Sequence, residues 1–192
     1  MKIVYIQPPT TAKEQPLLYI KPDTAVHNRE LPLYIPDFTS DLRGQVVLLI
    51  KISKQGKCIS PQFAPKYYEQ ISLGLALTAY DRLQMLQGQG LPWELATSFD
   101  SSMVVGQFVS VDTLGKEAMA TFAKDSQIVA TYPLQAFLQA LPQLLAYVSD
   151  SLTLRTGDLL ALALSTCFVP LQATTNWEAT LGDERLLAVA IK

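Results

Sequence analysis

The stretch that decides the fold is LRGQVVLLIKI, residues 42–52. Val46 through Ile50 and Ile52 are aliphatic, and Val and Ile favour extended chain, so the segment reads as a central β-strand. Successive side chains on a strand point to opposite faces, which puts Gln45, Val47, Leu49 and Lys51 on one side. Oxygen ligands at positions 45 and 47 would stand side by side and could grip a cation. An amide and a valine stand there instead. The strand is either an ordinary buried one or one that has lost a site.

Working outward, SKQGK at 53–57 supplies a turn. The periodicity of KYYEQISLGLALTAYDRLQML at 66–86 fits either helix or strand, and Gly74 in its middle favours a strand, ISLGLAL, followed by a short helix from about Ala79. GQG at 88–90 ends that helix. On the N-terminal side, KIVYI at 2–6, LLYIK at 17–21 and LPLYIP at 31–36 read as short strands, stopped by Pro8, Pro9 and Pro36. On the C-terminal side, SMVVGQFVSV at 102–111 reads as a strand and KDSQ at 124–127 as the tip of a hairpin. Leu134 to Tyr147 has an apolar helical face, kinked or restarted at Pro142. TGD at 156–158 turns into LLALAL, and GDE at 182–184 turns into RLLAVAI. Many short strands with two helices predict a β-rich α+β domain spanning residues 1–192 without linkers.

Composition narrows the function classes. At 192 residues, 49% hydrophobic and 17% charged, the chain can bury a substantial core and is no disordered tail. Fifteen basic residues against 17 acidic ones, with no basic run, lack the clustered charge that nucleic acid requires. The most apolar run, LLALALSTCFVPL at 159–171, is too short to cross a bilayer, and the apolar stretch in MKIVYIQPP is too short for a secretory signal. Cys58 and Cys167 do not make a disulfide framework, so reduced thiols in the cytoplasm are expected.

The usual catalytic patterns are missing. His27, the only histidine, sits in TAVHNRE with no Gly-x-Ser-x-Gly elbow, and reads as an exposed loop residue. One His and two distant Cys have no zinc-chelating spacing. Lys57 beside Cys58 could lower a thiol pKa, but burial is the expected state of each cysteine. LGKEAMAT at 114–121 has a Gly-Lys pair without the spacing of a phosphate-cradling loop. Asp81 and Asp100 each sit beside an aromatic residue, and read as carboxylates capping a helix or tying a turn.

Several segments, in order, resemble the fumarylacetoacetate hydrolase family, and its short bacterial members most of all. They are MKIVYI, LYIKPDTAV, LPLYIPDF, KISKQGKCI, FAPKYYEQISLGLALTAYDRLQ, GLPWELATSFDSS and YVSDSLTLRTGDLL, from Met1 to about Asp158, with a weaker continuation to Lys192. The resemblance implies a mixed β-sandwich roll, a homodimer, and acidic residues that hold Mg²⁺, Mn²⁺ or Ca²⁺. The reactions it implies are C–C hydrolysis, decarboxylation or tautomerisation of oxo acids such as acylpyruvates, with the metal steadying an enolate-like charge.

The family's working residues do not carry over. Its Glu-x-Glu pair falls on Gln45 and Val47. The acid of its Gly-x-Asp-x-Thr-Ala-Arg-Asp stretch falls on Ala76 in GLALTAYD, and the arginine on Tyr80. Its Lys-Gly-Phe-Asp becomes TSFD, with Thr97 in place of the lysine and Asp100 kept. Its Thr-Gly-Thr-Pro-x-Gly loop becomes LALSTCF, with Leu162, Ala163, Leu164 and Ser165 in its place, and a Gln-x-Gly-x-Thr-like strand end becomes TYPL at 131–134. The loop that carries a catalytic His in many members is shortened to QPPTTAKEQ, and His27 does not align with it. Lys21 and Asp81 match family positions.

A divalent cation needs anionic oxygen, and with all three acids gone no metal or other cofactor is expected. The expectation is a non-catalytic member, acting as a homodimer, as the partner of an active paralogue, or by binding a small organic acid in a remnant cleft near Lys21, Asp81, Thr97 and Asp100. The alternative is a divergent hydrolase, decarboxylase or isomerase of oxo acids that works without metal on Asp81, Asp100, Tyr80 and Lys21.

Overall fold

A strand with aliphatic side chains on both faces needs cover on both faces, and the computed structural model, which describes residues 1–9, 11, 14–29, 31–115 and 117–192, supplies it. In chain order the first half holds β1 (Lys2–Gln7), β2 (Leu17–Pro22), β3 (Leu42–Ile52), β4 (Tyr68–Ala79), α1 (Tyr80–Gly88) and α2 (Glu94–Thr97). There follow β5 (Met103–Val105), β6 (Val109–Ser110), β7 (Met119–Lys124), β8 (Gln127–Pro133) and α3 (Gln135–Ser151). The chain ends with β9 (Leu159–Ala163), β10 (Val169–Pro170), β11 (Thr175–Leu181) and β12 (Glu184–Ile191). Among the described residues, eight strands form a mixed sheet in the order β2-β1-β9-β3-β4-β5, with β10 on β3 and β6 on β4, and four form a second sheet, β12-β11-β7-β8. The fold is the expected β-rich α+β class.

The large sheet curls until its ends meet. Val26, just past β2, bridges Met103 of β5, and the His27 and Ser101 amides donate to Met103 O and Thr24 O at 2.8 and 3.1 Å. Side chains of one parity therefore point into a roll: Ile3, Tyr5, Val47, Leu49, Ala76 and Met103 form its closed apolar interior. Those of the other parity, including Val46, Leu48, Ile50 and Ile52, point outward to Leu145 and Val148 of α3 and to Phe122 and Trp177 of the second sheet. Each such fully buried aliphatic side chain contributes about 2 kcal/mol relative to leaving it in water.

Gly74 does lie in a strand, for a packing reason. It faces the roll interior opposite Val47, where a Cβ would come 2.5 Å from Val104 O and 2.7 Å from a Leu49 methyl. The hairpin at 124–127 and the helix after Ala79 also form as read, the hairpin tip taking positive φ at Asp125 and Ser126.

Other expectations need correction. LPLYIP is not a strand: Leu33 and Ile35 donate to Ala190 O and Lys192 O at 2.8 and 2.9 Å, but Pro32 and Pro36 cannot donate, and only the isolated bridge Leu33↔Ile191 remains. SMVVGQFVSV is broken into β5 and β6 at Gly106, where the chain presses on Leu73 O and Leu186 O. The 134–147 helix runs on to Ser151 and passes through Pro142 without restarting, while α2 and β11 had no reading in the sequence. His27 is buried, not exposed, because the seam of the roll passes through it, and its Nε2 lies 2.9 Å from Leu31 O. Both cysteines are exposed and unpaired; Cys58 sits in a bend at φ 51°, and Cys167 in the connection between β9 and β10.

Lys21 fastens the seam. Fully buried near the end of β2, its Nζ donates to Leu77 O of β4 at 3.1 Å, to Thr97 O of α2, and to Ser102 O and Oγ at 3.0 and 3.1 Å. Lys21→Met keeps most of the volume and removes every donor. It is expected to cost about 2 kcal/mol, read as a lower urea midpoint with an unchanged slope.

Candidate functional site

The register brings the three positions singled out on β3 and β4 together. Gln45 pairs directly with Ala76, and Val47 lies two residues along on the same face. Val47 and Ala76 are sealed in the roll interior, and Gln45 stands at its mouth, 1% exposed. Tyr5 of β1 reaches across the mouth, its hydroxyl donating to Gln45 Oε1 at 2.5 Å. Gln45 Nε2 turns to Ser165 O at 3.2 Å and Gln7 Oε1 at 3.5 Å. Tyr19 stacks on Tyr5 with ring centroids 4.4 Å apart, and its own hydroxyl is paired with Thr78.

No carboxylate enters this set. A divalent ion requires hard, preferably anionic oxygen, and the three positions offer one amide already engaged by a phenol and two alkyl groups. The residues present do not fit such an ion. Among the described residues, no three of His, Cys, Asp and Glu converge as metal ligands anywhere else.

Above these residues lies a cleft of ≈ 190 Å³, walled by Tyr5, Tyr19, Trp93 and Phe168. Thr97 lines it, 3% exposed, with its hydroxyl donating to Trp93 O at 3.1 Å. Lys21 lies beneath, bonded to the Thr97 carbonyl, and burial pushes its ammonium down to about 7. Asp81 and Asp100 lie apart from the cleft. Asp81, second residue of α1, accepts from the Thr39 hydroxyl at 2.5 Å and from the Ser40 and Arg82 amides at 2.9 Å each, so it ties the 39–40 loop to the helix. Asp100 borders a separate hollow of ≈ 290 Å³ beside His27 and Ser101. Tyr80 does not line the cleft but lies behind its wall, 5.3 Å from Phe168, with the Arg43 guanidinium 3.7 Å over its ring. A larger open hollow of ≈ 570 Å³, at Leu114 and Leu181 near the second sheet, touches none of these residues.

The altered motifs are dispersed as well. In LALSTCF the Ser165 carbonyl holds Gln45 and Phe168 joins the cleft wall, while TYPL ends β8 in the second sheet, away from the cleft. Thr10, Ala12 and Lys13 of the QPPTTAKEQ loop, Glu30 after His27 and Lys116 of the Gly-Lys pair lie outside the described residues. Tyr5, Gln7, Tyr19, Trp93 and Phe168 escaped the sequence reading. Strand alternation places Tyr5 on the same face as Ile3, but that this face meets β3 depends on β9 pairing with both strands, which no local pattern displays.

Comparison with known proteins agrees with the fold. A family model described as fumarylacetoacetate (FAA) hydrolase C-terminal matches residues 2–163. The chain belongs to the fumarylacetoacetate hydrolase family. It is 30% identical over 153 residues to the mitochondrial oxaloacetate tautomerase FAHD1 of Mus musculus, covering 79% of this chain and 69% of that one. It is 26% identical over 179 residues to the oxaloacetate tautomerase YcgM of Escherichia coli, covering 90% and 80% respectively. The fumarylpyruvate hydrolase of Pseudomonas aeruginosa, crystallised with Mn²⁺ and pyruvate, superposes with a TM-score of 0.86 over 100% of this chain and 89% of its own, at 19% identity. At that identity the likeness speaks for the fold alone, which is the family's mixed β-sandwich roll. No helix among the described residues is long and apolar enough to cross a membrane.

Asp81 gives the site's surroundings an acid limit. Partial burial raises its pKa, but the hydrogen bonds from Thr39, Ser40 and Arg82 outweigh this and hold it at about 2, below the ordinary 3.8. A carboxylate depressed in the folded state stabilises it above the unfolded value, and that stabilisation is lost as pH falls towards the folded one. Denaturation midpoints are therefore expected to fall as pH drops from 3.8 towards 2, and Asp81→Asn to flatten that part of the profile.

Proposed function

We propose that this chain is a non-catalytic member of the fumarylacetoacetate hydrolase family, a cytoplasmic binding protein that uses the neutral cleft at the mouth of its roll. In this reading it works as a dimer, with itself or with an active paralogue. The observation that carries the proposal is the hydrogen bond from Tyr5 to Gln45, set beside Val47 and Ala76. Reactions of oxo acids through an enolate-like state need a positive centre at the developing charge, and removing even one such contact typically costs about 10²–10³ in rate. Where the family resemblance places acidic ligands, this chain has a satisfied amide and two alkyl groups. Its relatives are named for oxaloacetate tautomerisation, and the solved fumarylpyruvate hydrolase held Mn²⁺ with pyruvate. Neither chemistry has an obvious foothold on these side chains.

A metal-free enzyme built on Lys21, Tyr80, Asp81 and Asp100 gains nothing from the geometry. Lys21 is spent on backbone carbonyls, Asp81 on the 39–40 loop, and Asp100 borders another hollow.

The test is calorimetric titration of the purified chain with Mg²⁺ and Mn²⁺, followed by an oxaloacetate and acylpyruvate turnover assay with Mn²⁺ present. The expected result is no saturable binding and no turnover above buffer. Stoichiometric micromolar binding of either ion, or Mn²⁺-dependent turnover, would overturn the proposal.

A further inference from the structure

Building on the non-catalytic reading, we infer that the cleft at the mouth of the roll takes a flat, uncharged ring with an amide-like substituent and discriminates against carboxylates. Its walls divide into two chemistries. Tyr5, Tyr19, Trp93 and Phe168 present aromatic surface, extended by Leu17 and Leu83. Between them stand three primary amides, Gln7, Gln45 and Gln87, and the hydroxyls of Thr78 and Thr97. Among the described residues, no charged side chain lines it.

The two cations closest along the same strands are already committed. Lys21 lies below the floor, fully buried, with its Nζ turned to the carbonyls of Leu77, Thr97 and Ser102. Arg43, two residues before Gln45 on the same face of β3, is clamped by Asp41, with Nε at 2.9 and 3.0 Å from the two carboxylate oxygens and Nη2 at 2.6 Å from one of them. An anion entering the cleft would give up water and meet no positive partner among the described residues, a loss of several kcal/mol for a desolvated carboxylate. Burial also raises both tyrosine hydroxyls above their ordinary range, so the walls stay neutral throughout the usual pH range.

A neutral amide meets the opposite situation. It brings one acceptor and two donors to a rim where the Gln7 and Gln87 amides carry both kinds of partner, and its ring lies against aromatic faces. Size agrees: a cavity of about 150 Å³ accepts benzene, and ≈ 190 Å³ admits one ring with a small polar substituent.

Benzamide and benzoate form a matched pair of probes, alike in ring and shape and different in charge. Each is titrated into the full chain at neutral pH by calorimetry and by tryptophan emission, which reports through Trp93 in the cleft wall. Benzamide is expected to saturate in the millimolar range or below and to perturb the emission, with benzoate at least about tenfold weaker, a difference of about 1.4 kcal/mol. Leu17→Arg adds a cation at an exposed wall position, where folding is undisturbed, and is expected to strengthen benzoate and erase the preference. Equal or tighter binding of benzoate to the unaltered chain, or saturation by neither probe, would overturn the inference. The Mn²⁺ titration separates the two proposals. A chain that binds Mn²⁺ defeats the non-catalytic reading, whereas a chain that binds neither Mn²⁺ nor benzamide defeats the ligand class alone.

Discussion

The roll closes around one ammonium group. Lys21 carries its amine into a space where it meets no carboxylate, and its Nζ is met by the backbone carbonyls of Leu77 in β4, Thr97 in α2 and Ser102 just before β5. A buried amine in such a cage is held only while β4, α2 and the residue leading into β5 converge on it, so its satisfaction and the closure of the sheet are one event. Closure in turn makes the inner face of β3 an interior. That is why Val47 and Leu49 are fully buried although they lie on the face opposite the main core. Everything at the mouth follows, since Gln45 is the residue at which this interior gives way to the cleft.

Charge explains why the changes at the mouth occur as a set. Carboxylates at positions 45, 47 and 76 would converge within one register step of each other, and without a cation they would repel and lose hydration. An alkyl group at 47 or 76 imposes no such cost and fills space that must be filled in any case. Gln45 keeps the length of a glutamate while needing no counter-charge, and the Tyr5 hydroxyl, the Ser165 carbonyl and the Gln7 side chain satisfy it.

How much of this was legible in the sequence depended on whether a signal was local. The central strand, the 124–127 hairpin and the helix after Ala79 announced themselves because alternation, turn residues and helical spacing are properties of short windows. Gly74 was read correctly as a strand glycine, though the reason, the approach of Val104 O, belongs to β5. LPLYIP misled because its residues favour extended chain and are extended, yet prolines at 32 and 36 withhold the amides a ladder needs. The burial of His27 and the exposure of both cysteines were invisible, since each depends on where the seam and the turns fall. For the site, the resemblance placed positions 45, 47 and 76 together and the register agrees. The aromatic wall of the cleft, gathered from four separate parts of the chain, had no comparable signal.

Residues kept from the family pattern and residues departing from it separate by the work each does. Lys21 and Asp81 both retain roles that need no ion: one joins the seam, the other pins the 39–40 loop to α1. Thr97 stands where the resemblance expects a lysine, and here a second cation so close to Lys21 would compete for the same carbonyls with no anion to balance either. A lysine at 97 is tolerable only beside acids, and the acids only beside a metal. Without an ion, the same electrostatics that would favour each of these groups beside one disfavours all of them, whereas the backbone cage around Lys21 is indifferent to the difference.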